Sequence, residues 1–216
     1  MLIKMLPEPE KGLLLDLIQL LALSDNPILW DGKKYDELAS DTDLSKLSIQ
    51  ADVQESELIA DLERSAGQSV RRRSNFFGSV ARSLPQIMRE KAQARALGVE
   101  DKPIEISIVE AELIEKLKMF PIHKMELPET RIAAAQAVLG QLLEGQSATQ
   151  PEFPKIMLFE MILVALRDGS VSSIERELLK AFQHHYQIAD FIFEDLLDRA
   201  EALNSEISKT IALVLE

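Results

Sequence analysis

The chain contains no cysteine. That excludes disulfides, thiolate nucleophiles and cysteine-ligated zinc, and it fits a cytoplasmic protein. Aromatic residues are scarce, at 5% of the sequence, and the apolar residues are mostly Leu, Ile and Ala. This composition favours helices over strands. Only eight glycines occur, scattered along 216 residues. They form no phosphate-cradling loop, and no Gly-x-Ser-x-Gly nucleophile elbow is present. Long apolar runs are missing as well. Met1 to Leu6 is too short for the apolar core of a signal peptide, and Pro7-Glu8-Pro9-Glu10 interrupts any continuation. No run approaches the roughly 20 apolar residues that a bilayer requires. Finally, positive charge is in deficit. A net charge of −12 argues against general nucleic-acid binding and favours a basic or cationic partner.

What the sequence does hold is apolar helix pattern, 46% of its residues being hydrophobic. The clearest stretch is 153–204. Lys155 to Arg167 is apolar on every side, which predicts a central core helix. Asp168-Gly169 stops it, with Gly169 placed for the left-handed C-terminal conformation. The next helix opens at Ser172 or Ser173, and Ser172 with Glu175 has capping-box spacing. Ile174, Leu178, Leu179 and Phe182 follow at helical intervals. A third helix is predicted from Ala189 to Leu203, with Asn204 as its stop.

An apolar helix, then Ala165-Leu166-Arg167-Asp168-Gly169, a short loop, and a helix with Glu175 and Glu177 in its first turns resembles the TerB-like family. That family comprises the tellurite-resistance TerB proteins and a related domain in membrane-anchored DnaJ-like co-chaperones. The resemblance implies a fold of two pseudo-repeated helical units and a place in bacterial stress-response or envelope-linked complexes. It also implies that acidic residues on the repeat loops can bind divalent metal.

The first half carries a matching element. Leu13 to Asn26 aligns without a gap on Ile156 to Gly169, setting Ala22 on Ala165, Leu23 on Leu166 and Asp25 on Asp168. The copy then departs: Asn26-Pro27 stands where the second has Gly169, and Ile-Leu-Trp precedes Asp31-Gly32. Glu8 or Glu10 opens this helix, which runs to Ser24. Beyond Asp31-Gly32 a turn, a short helix near Lys34 to Ala39, and a polar turn-like stretch from Ser40 to Ser48 are expected. Asp52 caps a further helix that Gly67 ends. In the second half, Ile104 to Met119 and Pro128 to Gly140 or Glu144 read as helices, and Ser205 to Glu216 as a last helix with an apolar end.

Between the halves the composition changes. Residues 69–99 hold seven basic side chains, among them Arg71, Arg72, Arg73, Arg82 and Arg89, against Glu90 alone. That is a local charge of +6 in a chain of −12. Interleaved apolar residues predict one basic amphipathic helix kinked at Pro85, or two short ones. It is either a docking element for an anionic membrane surface or an acidic partner, or a helix packed on the chain's own acidic surface.

Candidate chemistry is confined to the acids. Asp25, Asp31 and Asp36 gather around one repeat loop, and Asp168, Glu175 and Glu177 around the other. Carboxylates suit calcium or magnesium, though the spacing is not that of an EF-hand. Their alternative role is as caps, helix-dipole partners and solvated loop residues. His184 and His185 point about 100° apart on a helix and do not make a ligand pair. Trp30 lines a groove or anchors the core. The reading is an all-α compact helical bundle of two TerB-like pseudo-repeats forming one domain, with halves 8–67 and 104–216 around the basic insertion 69–99. It acts as a non-enzymatic interaction or scaffold module with a protein partner, a second copy of the chain included. The alternatives are a metal-dependent enzyme using the acidic loops and an adaptor docking through the basic segment on an anionic membrane or nucleic acid.

Overall fold

The computed structural model describes residues 2–50, 52–67 and 107–215. Among them, seven α-helices and one two-stranded antiparallel sheet occur: α1 (Glu8–Ser24), β1 (Ile28–Trp30), β2 (Leu47–Ile49), α2 (Val53–Ala66), α3 (Ile108–Leu117), α4 (Pro128–Leu143), α5 (Phe153–Ala165), α6 (Ser173–His185) and α7 (Asp190–Leu215). The chain is an all-α bundle, and no described helix is long and apolar enough to cross a membrane. The basic segment 69–99, with Arg71, Arg72, Arg73, Arg82 and Arg89, lies outside the described residues.

The centre is shared by α1 and α5, the two helices that the internal alignment pairs. They pack against each other, and α1 also touches α2, α3, α4 and α6. Both are buried around most of their circumference: Leu14, Leu17, Ile18 and Leu21 in α1, and Met157, Leu158, Met161 and Ile162 in α5. A helix buried on all sides has no polar face to present, and this is why neither shows an amphipathic stripe. The sequence pointed to α5 as the central helix; α1 has at least as good a claim, because helices from both halves pack on it.

Helix starts follow local chemistry. Pro9, Pro128 and Pro154 occupy first turns, where a missing N–H costs nothing. Ser107 accepts a hydrogen bond from Glu110 N (3.0 Å) and caps α3. Ser172 and Glu175 form the expected capping box: Glu175 N donates to Ser172 Oγ (3.2 Å), and Ser172 N donates to Glu175 Oε2 (2.8 Å). Gly169 adopts φ +95° and donates to Leu166 O (2.9 Å), as its position predicted.

Three expectations are corrected. The turn-like stretch from Ser40 to Ser48 ends in β2, which pairs with β1 in the register Ile28 to Ile49 and Trp30 to Leu47. Strands of three residues carry too little alternation to read from sequence. The short helix near Lys34 to Ala39 contracts to a single 3-10 turn, Tyr35–Glu37. The predicted stop at Asn204 does not exist either, because α7 runs straight through it. The Asn204 amide is used elsewhere, donating to Leu166 O (2.8 Å), and neither proline nor glycine interrupts residues 190–215.

Candidate functional site

The two repeat loops are the first place to look. At the end of α1, Arg131 from α4 reaches across to the unsatisfied carbonyls. It donates to Ser24 O (2.8 Å), Leu23 O (3.3 Å) and Asn26 O. Its side chain is 4% exposed and pairs with Glu126 (3.0 Å). Burial pulls this guanidinium below the ordinary arginine range, while Glu126 and then Asp25 raise it. Glu126 completes the clamp by accepting from Ile28 N (2.9 Å), fixing the start of β1. Neither Arg131 nor Glu126 stood out in the sequence; their signal is tertiary.

The acids of the first loop are spread out. Asp25 is exposed and caps α1. Asp31 and Gly32 both have positive φ, +51° and +79°, and make the tight turn after β1. The Asp31 carboxylate accepts from Lys46 Nζ (3.1 Å), and this raises the lysine's pKa. Asp36 sits exposed in the 3-10 turn. In the second loop, the Asp168 backbone closes a 3-10 turn, while its side chain lies outside what is described. Glu175 is committed to the capping box, and Glu177 is half-buried on α6. Among the described residues, no three His, Asp or Glu side chains come together in a way that could hold a metal ion. His184 and His185 are exposed, and His185 Nε2 lies 3.3 Å from Gln146 O. Trp30 is fully buried in the core.

Among the buried acids that escaped the sequence reading is Glu160. Glu160, in the middle of α5, is nearly inaccessible and accepts from the backbone N–H of Ile3 (3.3 Å) and of Leu2. A lone carboxylate on a helix otherwise apolar all round is the sign that could have found it. It ties down the 3-10 turn Leu2–Met5, a structural task.

The most conspicuous surface is the second half of α7. Up to Ala200 the helix buries Phe193, Leu197 and Ala200 against the bundle. Every described side chain from Ser205 to Val214 is then exposed. Leu203, Ile207, Ile211 and Val214 fall on one stripe, at intervals of four, four and three, with exposures from 43% to 77%. Such spacing is what a helix shows to another helix. Around it the charges are few, and Lys209 pairs with Glu206 (2.7 Å). Among the described residues nothing packs on this stripe.

Comparison with family models, with characterised proteins and with solved structures finds no match.

Proposed function

We propose that this chain is a non-enzymatic interaction or scaffold module of TerB-like type, engaging a protein partner through the exposed stripe of α7. The supporting observation is that stripe. Contiguous apolar surface exposed on a stable helix marks an interaction site in a protein with an otherwise ordinary surface, and its three-four spacing suits an amphipathic partner helix. The resemblance of 153–204 to TerB-like proteins supplies the setting, a bacterial stress-response or envelope-linked complex. Calcium or magnesium tuning, implied by the same resemblance at Asp25, Asp31, Asp36, Asp168, Glu175 and Glu177, draws no support from the described carboxylates. It requires a rise in melting temperature with either ion after EDTA treatment, abolished in Asp25→Ala and Asp168→Ala. Docking on an anionic membrane is the second reading, supported by the +6 charge of residues 69–99; salt-sensitive binding to anionic vesicles, lost on charge reversal at Arg71, Arg72 and Arg73, is its test.

The stripe is tested by Ile207→Asp with Ile211→Asp. Partner capture is expected to fall at least tenfold while stability stays within about 0.5 kcal/mol, since exposed substitutions rarely cost more. Capture that survives the pair sinks the reading. So does a large loss of stability, which would mean that the stripe packs within its own chain.

A further inference from the structure

Apart from the α7 stripe, a concave feature with a buried charged group at its wall is found among the described residues. A pocket of about 250 Å³ opens where the start of α1, the start of α5 and the loop after α4 meet, with the residue following α6 at its edge. Leu13, Phe153 and Met157 give it an apolar side. Thr149 and Tyr186 border it, and Glu10 is the charged residue of its lining.

Glu10 is 9% exposed. Its Oε1 accepts from Thr149 Oγ1 (2.8 Å). Its Oε2 is buried and has no hydrogen-bond partner among the described residues. The nearest lysine in sequence, Lys11, is engaged with Glu8 (3.2 Å). A buried carboxylate left half-satisfied costs the desolvation of the unpaired oxygen, and most native carboxylates avoid that cost. The first turn of α1 offsets part of it through the helix dipole.

The sign of a ligand follows from the donors present. Helix starts ordinarily favour anions because their first N–H groups are free. Here both helix starts carry proline, Pro9 and Pro154, and proline has no N–H to offer. Two further donors are spent on turn closure: Phe153 N on Gln150 O (3.2 Å) and Ile156 N on Glu152 O (3.1 Å). An anion would meet the Glu10 carboxylate, with no cationic side chain in the lining and only the neutral groups of Gln146, Ser147, Thr149 and Tyr186 to set against it. A cation would meet an unpaired oxygen acceptor, with the ring of Phe153 in the same lining for a cation–π contact.

We propose that this pocket binds an alkylammonium group. The methylenes of such a ligand lie along Leu13, Phe153 and Met157, and the ammonium, with three N–H groups, donates to the unpaired Oε2 of Glu10 and to Oε1 in place of the Thr149 hydroxyl. Thr149 is exposed and sits in the loop 144–152, so turning its side chain uncovers the carboxylate. Two sources share this chemistry, a free aliphatic amine and a lysine side chain of a polypeptide.

The test is titration of the full chain, by calorimetry or by nitrogen-edited NMR, with n-butylammonium and with Nα-acetyl-lysine methylamide. n-Pentanol serves as the uncharged control. Saturable binding of at least one amine is expected, weakened about tenfold or more in Glu10→Gln, because a charge-assisted hydrogen bond is lost. n-Pentanol is expected to bind no tighter than it binds the variant. Binding by the lysine derivative alone identifies a polypeptide source, and binding by butylammonium alone a free amine. Thr149→Val, in an exposed loop, removes the competing donor and is expected to tighten amine binding several-fold. This second variant decides the matter even where Glu10→Gln fails to fold. The proposal is overturned if neither amine binds, if pentanol competes equally, or if Thr149→Val leaves amine affinity unchanged.

Discussion

The two central helices end in nearly the same sequence and are finished in different ways. At α5, Gly169 turns left-handed and satisfies Leu166 O with its own N–H, and Asn204 adds a second donor from α7. At α1 the corresponding residue is Asn26, followed by Pro27, and no glycine is available. The Asn26 side chain folds back to Ala22 O (2.8 Å), and the remaining carbonyls are satisfied by Arg131, more than a hundred residues away. A helix terminus must have its carbonyl groups satisfied. The comparison shows the two available routes, a local one through backbone chirality and a distant one through a buried cation. The distant route does more than finish a helix, because the same guanidinium locks α1 to α4 and, through Glu126, to β1.

This difference sets the size of what mutation should do. Arg131→Met removes the cation, leaves carbonyls of Leu23, Ser24 and Asn26 without their donor, and strips Glu126 of its partner. A loss of about 3–5 kcal/mol is expected in urea unfolding. A loss below about 1 kcal/mol would mean that water replaces the clamp and that the two ends are equivalent after all. Gly169→Ala forces a Cβ into the left-handed region, although no neighbouring atom crowds it. The expected cost is about 1–2 kcal/mol, clearly smaller than at Arg131, and a thermal melt reads it.

The smallest effect sharpens the comparison at the hairpin that only the first copy carries. Glu110 on α3 accepts from Ile49 N at 3.5 Å, and burial raises its carboxyl pKa. A raised folded-state value means that the protonated form is favoured in the fold. The stability it contributes is fully present below the unfolded carboxyl range and is lost as pH rises through the raised value. Glu110→Gln should therefore gain roughly a few tenths of a kcal/mol at neutral pH after solvent screening, and nothing at pH 3. A destabilised variant at neutral pH would show that the charged form holds β2 in place.

The parts of this architecture that were legible in sequence are those set by local rules. Ser172 with Glu175, Pro128, Gly67 and Gly169 each mark a boundary through their own backbone chemistry, and the structure places them at helix ends. Asn204 misled because an amide that is competent to stop a helix is equally competent to reach a carbonyl on another one. β1 and β2 were invisible because three-residue strands depend on their pairing. Arg131 and Glu10 carry polar contacts between distant segments, yet in sequence each is one charged residue among many. Nothing but the packing of distant helices distinguishes them. Of the proposed acidic loops, Glu175 is legible twice over, as acid and as cap, and the structure uses it as the cap.

The arrangement around α1 also bears on how the chain is made. The helix is buried around most of its circumference, and among the described residues the helices other than α2 that cover it begin at Ile108 or later. At ordinary elongation rates of 5–20 residues per second, the ribosome needs on the order of ten seconds to go from Ser24 to the end of α4. Through most of that interval, of the described helices that cover α1 only α2 has been made. Arg131 arrives late, and it is the late arrival that closes the helix already made. Completion of the cover over α1 thus waits for residues of the second half, which favours a route in which the two halves mature together over one in which the amino-terminal half matures first.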